Sequence, residues 1–70
     1  MNGAIIGLGH GHRVISKAFK IEKIKLIGVY SKNLNNAYKY SKKNKLKKIY
    51  NSVDDLINDK DIDLVAIAIP

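Results

Sequence analysis

The chain has no cysteine, a single proline and a single arginine, and few acids. Without cysteine no disulfide can brace the fold and no thiolate can hold a metal, which fits a reducing compartment. The single proline, Pro70, excludes a proline-rich linker. Long apolar runs are also missing. The longest, Leu64 to Ile69, falls far short of the roughly 18–20 residues that cross a bilayer. No charged segment leads into a long apolar one at the N-terminus, so a secretory signal is not indicated and a soluble cytoplasmic protein is expected. With 70 residues there is room for one small domain. Such a domain buries only about 60% of its unfolded surface.

What the chain does have is positive charge, unevenly spread. Thirteen basic residues against six acids give a net charge of +7. Between Arg13 and Lys48 the lone acid is Glu22, whereas five aspartates follow from Asp54 onward. A basic surface attracts nucleic acid, membrane surfaces or phosphorylated ligands. Lysine is a point charge, and the forked guanidinium suited to bases and phosphates is nearly absent. No nucleic-acid recognition motif accompanies the lysines, so a basic nucleic-acid binder is the least favoured class and a solvated surface the simplest account.

Apolar runs and helical patterns alternate along the chain. Gly3 to Leu8 suits a short buried strand. From Gly11 to Lys20 the apolar positions Val14, Ile15, Ala18 and Phe19 share one helical face. Lys25 to Tyr30 reads as a second strand. Asn33 can cap a helix whose inner face is Leu34, Ala37, Tyr38 and Ser41 and which ends near Asn44. Lys48 to Asn51 makes a brief third strand. Ser52 to Asp55 resembles a capping box opening a helix with Val53, Leu56 and Ile57 inward. Leu64 to Ile69 is a fourth strand. The tyrosines Tyr38 and Tyr50 read as core residues rather than stacking platforms for bases.

Strands alternating with helices imply an α/β fold with a parallel sheet covered on both faces. Right-handed crossovers give the Rossmann-like strand order 3-2-1-4, with a topological switch point between the first and fourth strands. The fourth strand is the most apolar, as expected of a central strand, yet nothing follows it. The chain is therefore expected to be an incomplete half of a larger domain, unless a partner covers the exposed sheet edge.

The run Gly7-Leu8-Gly9-His10-Gly11-His12-Arg13 follows the first strand and opens the first helix. This is the layout of a turn that cradles a diphosphate. Gly7 permits the tight turn and Gly9 lets the backbone approach the ligand. The N–H groups of Gly9 through His12 are expected to point at the anion, with charge added by Arg13. The third position of the fingerprint, normally small, is His12. It must either crowd the helix–strand contact or turn its ring outward. A metal held by His10 and His12 would need further ligands that are not evident nearby, so no metal site is assigned.

About 20 residues beyond the turn, an NAD-preferring site places a carboxylate on the ribose hydroxyl. Here the corresponding residues are Ser31 and Lys32, with no acid in the segment from Gly28 to Asn33. A hydroxyl and a cation favour a 2′-phosphate, which points to NADP, with NAD as the alternative.

Four segments together resemble the N-terminal part of the Gfo/Idh/MocA oxidoreductases. They are Ile5-Ile6-Gly7-Leu8-Gly9, then Leu26 to Asn33 with Ala37 following, then Ile49 to Ile57, and finally Asp61 to Pro70. The resemblance implies a nicotinamide-dependent oxidoreductase acting on a sugar, inositol or similar hydroxy compound. It also implies that Ile69 and Pro70, in the turn after the fourth strand, lie beside the coenzyme. Two positions depart from the family pattern: Ile69 stands where a small hydroxylated residue is usual, and His12 replaces the third glycine. The family's catalytic lysine belongs to a Glu-Lys-Pro motif beyond residue 70, and its catalytic histidine lies further on. By resemblance, then, residues 1–70 are expected to form a partial dinucleotide-binding domain without the substrate domain, the remainder of the enzyme or a second chain is expected to cover the exposed sheet edge, and no catalytic residue is assigned within the chain. A non-catalytic nucleotide-binding or regulatory module is the alternative.

Overall fold

The computed structural model describes residues 1–9 and 11–68. Four parallel strands form one sheet: β1 (Asn2–Ile6), β2 (Lys25–Tyr30), β3 (Lys48–Ile49) and β4 (Leu64–Ile67). Their spatial order is β3-β2-β1-β4, as the alternation of elements predicts. Helices α1 (His12–Ile21), α2 (Leu34–Asn44) and α3 (Val53–Ile57) make the three crossovers. Ile5 pairs with Val29 on one side and Ala66 on the other. This puts the end of β1 between those of β2 and β4, at the switch point.

Strand periodicity sorts the core onto two faces. Gly3 and Ile5 face α1, and a Cβ on Gly3 would meet the ring of Phe19. Ala4 and Gly28 face the other way, towards Tyr50 and Leu56, with Ile6, Tyr30 and Ile62 packed around them. Ile5, Val29 and Leu56 are the largest fully buried side chains.

The expected caps form. Asn33 accepts a hydrogen bond from the Asn36 N–H at 3.3 Å, and Ser52 accepts from the Asp55 N–H at 3.0 Å. The expected inner faces of the helices do not all hold. Val14 and Ala18 are exposed, and the inward stripe of α1 is His12, Ile15, Ser16 and Phe19. On α2 the inward residues are Ala37, Tyr40 and Ser41, while Leu34 is outside and Tyr38 is 55% exposed. The Tyr38 core assignment is therefore corrected; Tyr50 is buried as expected. Ile57 also faces out. The reason for the rotation of α1 and α2 is polar. The Ser16 and Tyr40 hydroxyls lie 2.5 Å apart across the helix pair, and Ser16 also donates to the His12 carbonyl at 3.0 Å. These bonds let polar side chains face inward without leaving a buried group unpaired.

β4 lies at an edge, with Leu64, Val65 and Ile67 exposed. The strand itself ends at Ile67, Ala68 still donates its N–H to the Ile6 carbonyl, and Ile69, the last residue of the expected strand, lies outside the described residues. β3 is likewise shorter than expected, ending at Ile49. No helix among the described residues is long and apolar enough to cross a membrane.

At the end of the sheet opposite the glycine turn, the late aspartates are used structurally. Lys48 Nζ reaches Asp59 Oδ2 at 2.7 Å and Asp61 Oδ2 at 2.8 Å, and the Tyr50 hydroxyl donates to Asp59 Oδ2 at 2.6 Å. Asp63 accepts from the Asn2 N–H at 2.8 Å. The Lys48 and Tyr50 hydrogen bonds hold the Asp59 carboxyl down to about 2. Burial, then the bond to Asp59, pushes the Tyr50 phenol up to about 12, and the two aspartates hold Lys48 above its usual range. A carboxyl lowered from 3.8 stabilises the fold above that pH and loses its contribution as pH falls towards 2. A phenol raised from 10.0 contributes below that pH and loses its contribution as pH rises through about 12. The contributions of these two groups are therefore constant between pH 3.8 and 10.0 and are lost outside that range. Asp59→Asn should blunt the acid limb in urea titrations at pH 2 to 5 (about that span), and an unchanged limb would contradict this.

Candidate functional site

The glycine turn is fastened on both sides. Gly7 has φ 87°, a conformation that suits glycine and strains other residues. Its N–H donates to the Tyr30 carbonyl at 2.7 Å, tying the turn to the end of β2. The Gly9 N–H donates to the Ala68 carbonyl at 2.7 Å, tying it to the end of β4. The His12 N–H donates to the Gly9 carbonyl at 3.1 Å. The expectation that every N–H from Gly9 through His12 points at an anion is corrected here, because Gly9 and His12 use theirs to hold the turn. The N–H groups of Leu8 and Gly11 have no partner among the described residues.

Among the described residues no side chain caps the N-terminus of α1: Gly11 occupies the cap position, and the first turn holds no acid. α2 and α3 are both capped by side chains. A cap side chain satisfies the donors that an anion would otherwise take, so among the described residues α1 is the helix whose positive end no side chain occupies.

His12 turns its ring towards α2, away from the β1 contact that a large residue would crowd. Its Nδ1 lies 2.8 Å from the Gly9 carbonyl, and because a carbonyl only accepts, Nδ1 carries the proton. The ring meets Tyr40 edge-on, with centroids 5.5 Å apart and planes at 82°.

A cavity of about 350 Å³ opens at the carboxyl ends of β1 and β2. Gly7, Leu8 and Gly9 line one side, and Tyr30, Ser31 and Lys32 the other, with Asn36 from the first turn of α2. No carboxylate lines it. Ser31 is buried at its rim and Lys32 is exposed. Of the residues expected from sequence to form the site, Gly7, Leu8, Gly9, Ser31 and Lys32 thus share one cavity. Gly11 sits at the helix start, and His12 and Arg13 line a neighbouring depression between the helices. His10, Ile69 and Pro70 lie outside the described residues. Sequence reasoning missed Asn36, whose only signal is its place in the first turn of α2, beside the expected phosphate-side loop.

The profile of the Gfo/Idh/MocA oxidoreductase family, NAD-binding Rossmann fold, matches residues 1–70. Among solved structures, one from Thermotoga maritima, assigned as a dehydrogenase, superposes with a TM-score of 0.88 at 20% identity, covering 100% of this chain and 21% of that one. At that identity the likeness shows the fold alone. A protein from Desulfitobacterium hafniense, assigned as an NADPH-dependent oxidoreductase, gives a TM-score of 0.83 at 28% identity over 99% of this chain and 20% of that one. One from Erwinia carotovora atroseptica, assigned as an oxidoreductase, gives 0.79 at 28% identity over 99% and 21%. The chain thus spans about a fifth of the length of the solved structures it matches. A search among curated proteins gave no significant match.

Proposed function

Given that the chain belongs to the Gfo/Idh/MocA oxidoreductase family, as its NAD-binding Rossmann region, we propose that it holds NADP for an oxidoreductase acting on a sugar, inositol or similar hydroxy compound. The observation that carries the choice of NADP is the cavity joining Gly7–Gly9 to Ser31 and Lys32 with no carboxylate on its wall. An acid there would accept from the ribose hydroxyls of NAD and repel a 2′-phosphate. A lysine attracts the phosphate as a point charge. The Desulfitobacterium relative's assignment as NADPH-dependent is consistent with this choice.

The residues present suit a dinucleotide. The uncapped start of α1 and the Leu8 and Gly11 amides would face the diphosphate, with Arg13 nearby. Ser31 and Lys32 would face the adenosine ribose. His10, Ile69 and Pro70 join the proposed contacts through the family resemblance. When bound, the nicotinamide supplies a hydride acceptor or donor. In the same proposal, the rest of the enzyme or a second chain covers the open edge of β4 and brings the reacting groups, which the chain does not itself assign.

Calorimetric titration of the full-length protein with both coenzymes tests this. NADP⁺ should bind more tightly than NAD⁺. Lys32→Ala should weaken NADP⁺ by about five- to tenfold while sparing NAD⁺, the loss expected of one exposed charge-assisted contact. NAD⁺ binding as tightly as NADP⁺ would overturn the choice of coenzyme, and binding of neither would overturn the proposal.

A further inference from the structure

Between α1 and α2 runs a trough made of two cavities, of about 250 and 260 Å³, that share His12, Tyr40 and Lys43. It abuts the cavity at the glycine turn, because Leu8 and Asn36 line both. Arg13, Lys17 and Lys39 also line it, and no carboxylate does.

The contrast with Lys48 gives this charge its meaning. Both ion pairs among the described residues belong to Lys48, which meets Asp59 and Asp61 at the far end of the sheet. Where this chain uses a lysine to hold its fold, it supplies the carboxylates. The trough cations have none, and like charges facing one space repel. An entering anion relieves that repulsion.

The trough is also preformed. Its floor is fixed by the Ser16–Tyr40 hydroxyl pair at 2.5 Å, the edge-on contact of His12 with Tyr40, and the bond from the His12 ring to the Gly9 carbonyl. A fixed floor reduces the ordering cost of binding. Asn36, Lys39, Tyr40 and Lys43 follow helical spacing along one face of α2. Lys39 therefore stands about one turn beyond Asn36, where the trough meets the ribose-side cavity, and Lys43 stands a further turn away.

We propose that this end of the trough takes the ribose 2′-phosphate of the coenzyme, with Lys39 as a second determinant of specificity. Lys32 approaches from the end of β2 and Lys39 from α2. The proposal rests on the reading above, that a dinucleotide occupies the cavity at the glycine turn. A phosphate monoester carries about −1.5 to −2 charges at neutral pH, so two lysines on separate elements can both be engaged by it.

The test compares NADP⁺ and NAD⁺ binding to the full-length protein, as wild type, Lys39→Gln and the Lys39→Gln/Lys43→Gln double variant. Lys39→Gln should weaken NADP⁺ by about five- to twentyfold and change NAD⁺ by no more than about twofold. The double variant should lose at least as much of the discrimination. Lys39 is exposed and makes no hydrogen bond among the described residues, so the melting temperature should not fall. Equal weakening of both coenzymes would reveal only a general field and overturn the proposal, as would no change in either. Wild type that binds NADP⁺ while Lys39→Gln binds it equally well removes this inference alone. Wild type that binds neither coenzyme removes the parent reading as well.

Discussion

Replacing Gly28 with alanine should destabilise the protein by about 1–3 kcal/mol, the usual cost of overfilling a packed core. The new Cβ would lie 2.5 Å from Tyr50 Cε2 and 3.2 Å from both Cζ and the hydroxyl oxygen. The ring cannot easily step aside. Tyr50 is buried against Ala4 and Leu56, and its hydroxyl is fixed to Asp59 at 2.6 Å. Moving the ring would sacrifice that bond, and keeping it would force Gly28 out of register with Ala4 and Lys48. A whole domain is stable by only about 5–15 kcal/mol, so the loss should be plain in urea denaturation. In a double-mutant cycle, Gly28→Ala should cost less in a Tyr50→Val background, where the ring no longer fills the space, than in wild type. A single variant within about 0.5 kcal/mol of wild type, the range of harmless surface changes, would show that the contact is not tight.

Replacing Gly7 with valine should raise the NADP⁺ dissociation constant at least about fivefold. At φ 87° an L-residue is strained, by about 1–2 kcal/mol for the left-handed region. That energy corresponds to about five- to thirtyfold in affinity if relieving it reshapes the turn. Relief would draw the Gly7 N–H off the Tyr30 carbonyl and re-aim the Leu8 amide next to it. The effect should fall on both coenzymes alike, because in the proposed site the turn faces their common diphosphate and not the ribose phosphate. Loss confined to NADP⁺ would contradict the assignment of the turn, and unchanged affinity would remove it. Circular dichroism on the same samples separates this from unfolding.

Much of the architecture was legible because it depends on patterns that act locally. Apolar runs without alternation, such as Leu26 to Val29, require cover on both faces, and the turns between them carry their own signals. Asn33 and Ser52 formed the caps expected of them because a side-chain oxygen reaching a nearby N–H needs no distant partner. The grouping of Gly7, Leu8 and Gly9 with Ser31 and Lys32 followed from the parallel order, since adjacent parallel strands deliver their carboxyl ends to one place.

The helix faces were less legible. Val14, Ala18, Leu34 and Tyr38 match an amphipathic stripe, yet the inward positions on these helices include His12, Ser16 and Tyr40 beside the expected Ser41. Those polar groups can turn inward only because each finds a partner: His12 the Gly9 carbonyl, Ser16 the Tyr40 hydroxyl, and Ser41 the Leu46 carbonyl at 3.4 Å. A one-dimensional pattern does not show that Ser16 and Tyr40, 24 residues apart, will meet. The same blind spot hid the trough, whose walls come from two helices. The amide bookkeeping of the turn was misjudged for a related reason, since the partner of Gly9 is the distant Ala68.

That last bond links two parts of the molecule mechanically. Ala68 donates its N–H to Ile6 at 2.8 Å and accepts from Gly9 at 2.7 Å. The residue after β4 is thus a rivet through both the strand and the glycine turn. A shift of a fraction of an ångström in whatever adjoins β4 would stretch the Gly9 bond and alter the curvature of the loop. By reciprocity, a ligand that tightens the loop pulls on β4 with equal free energy.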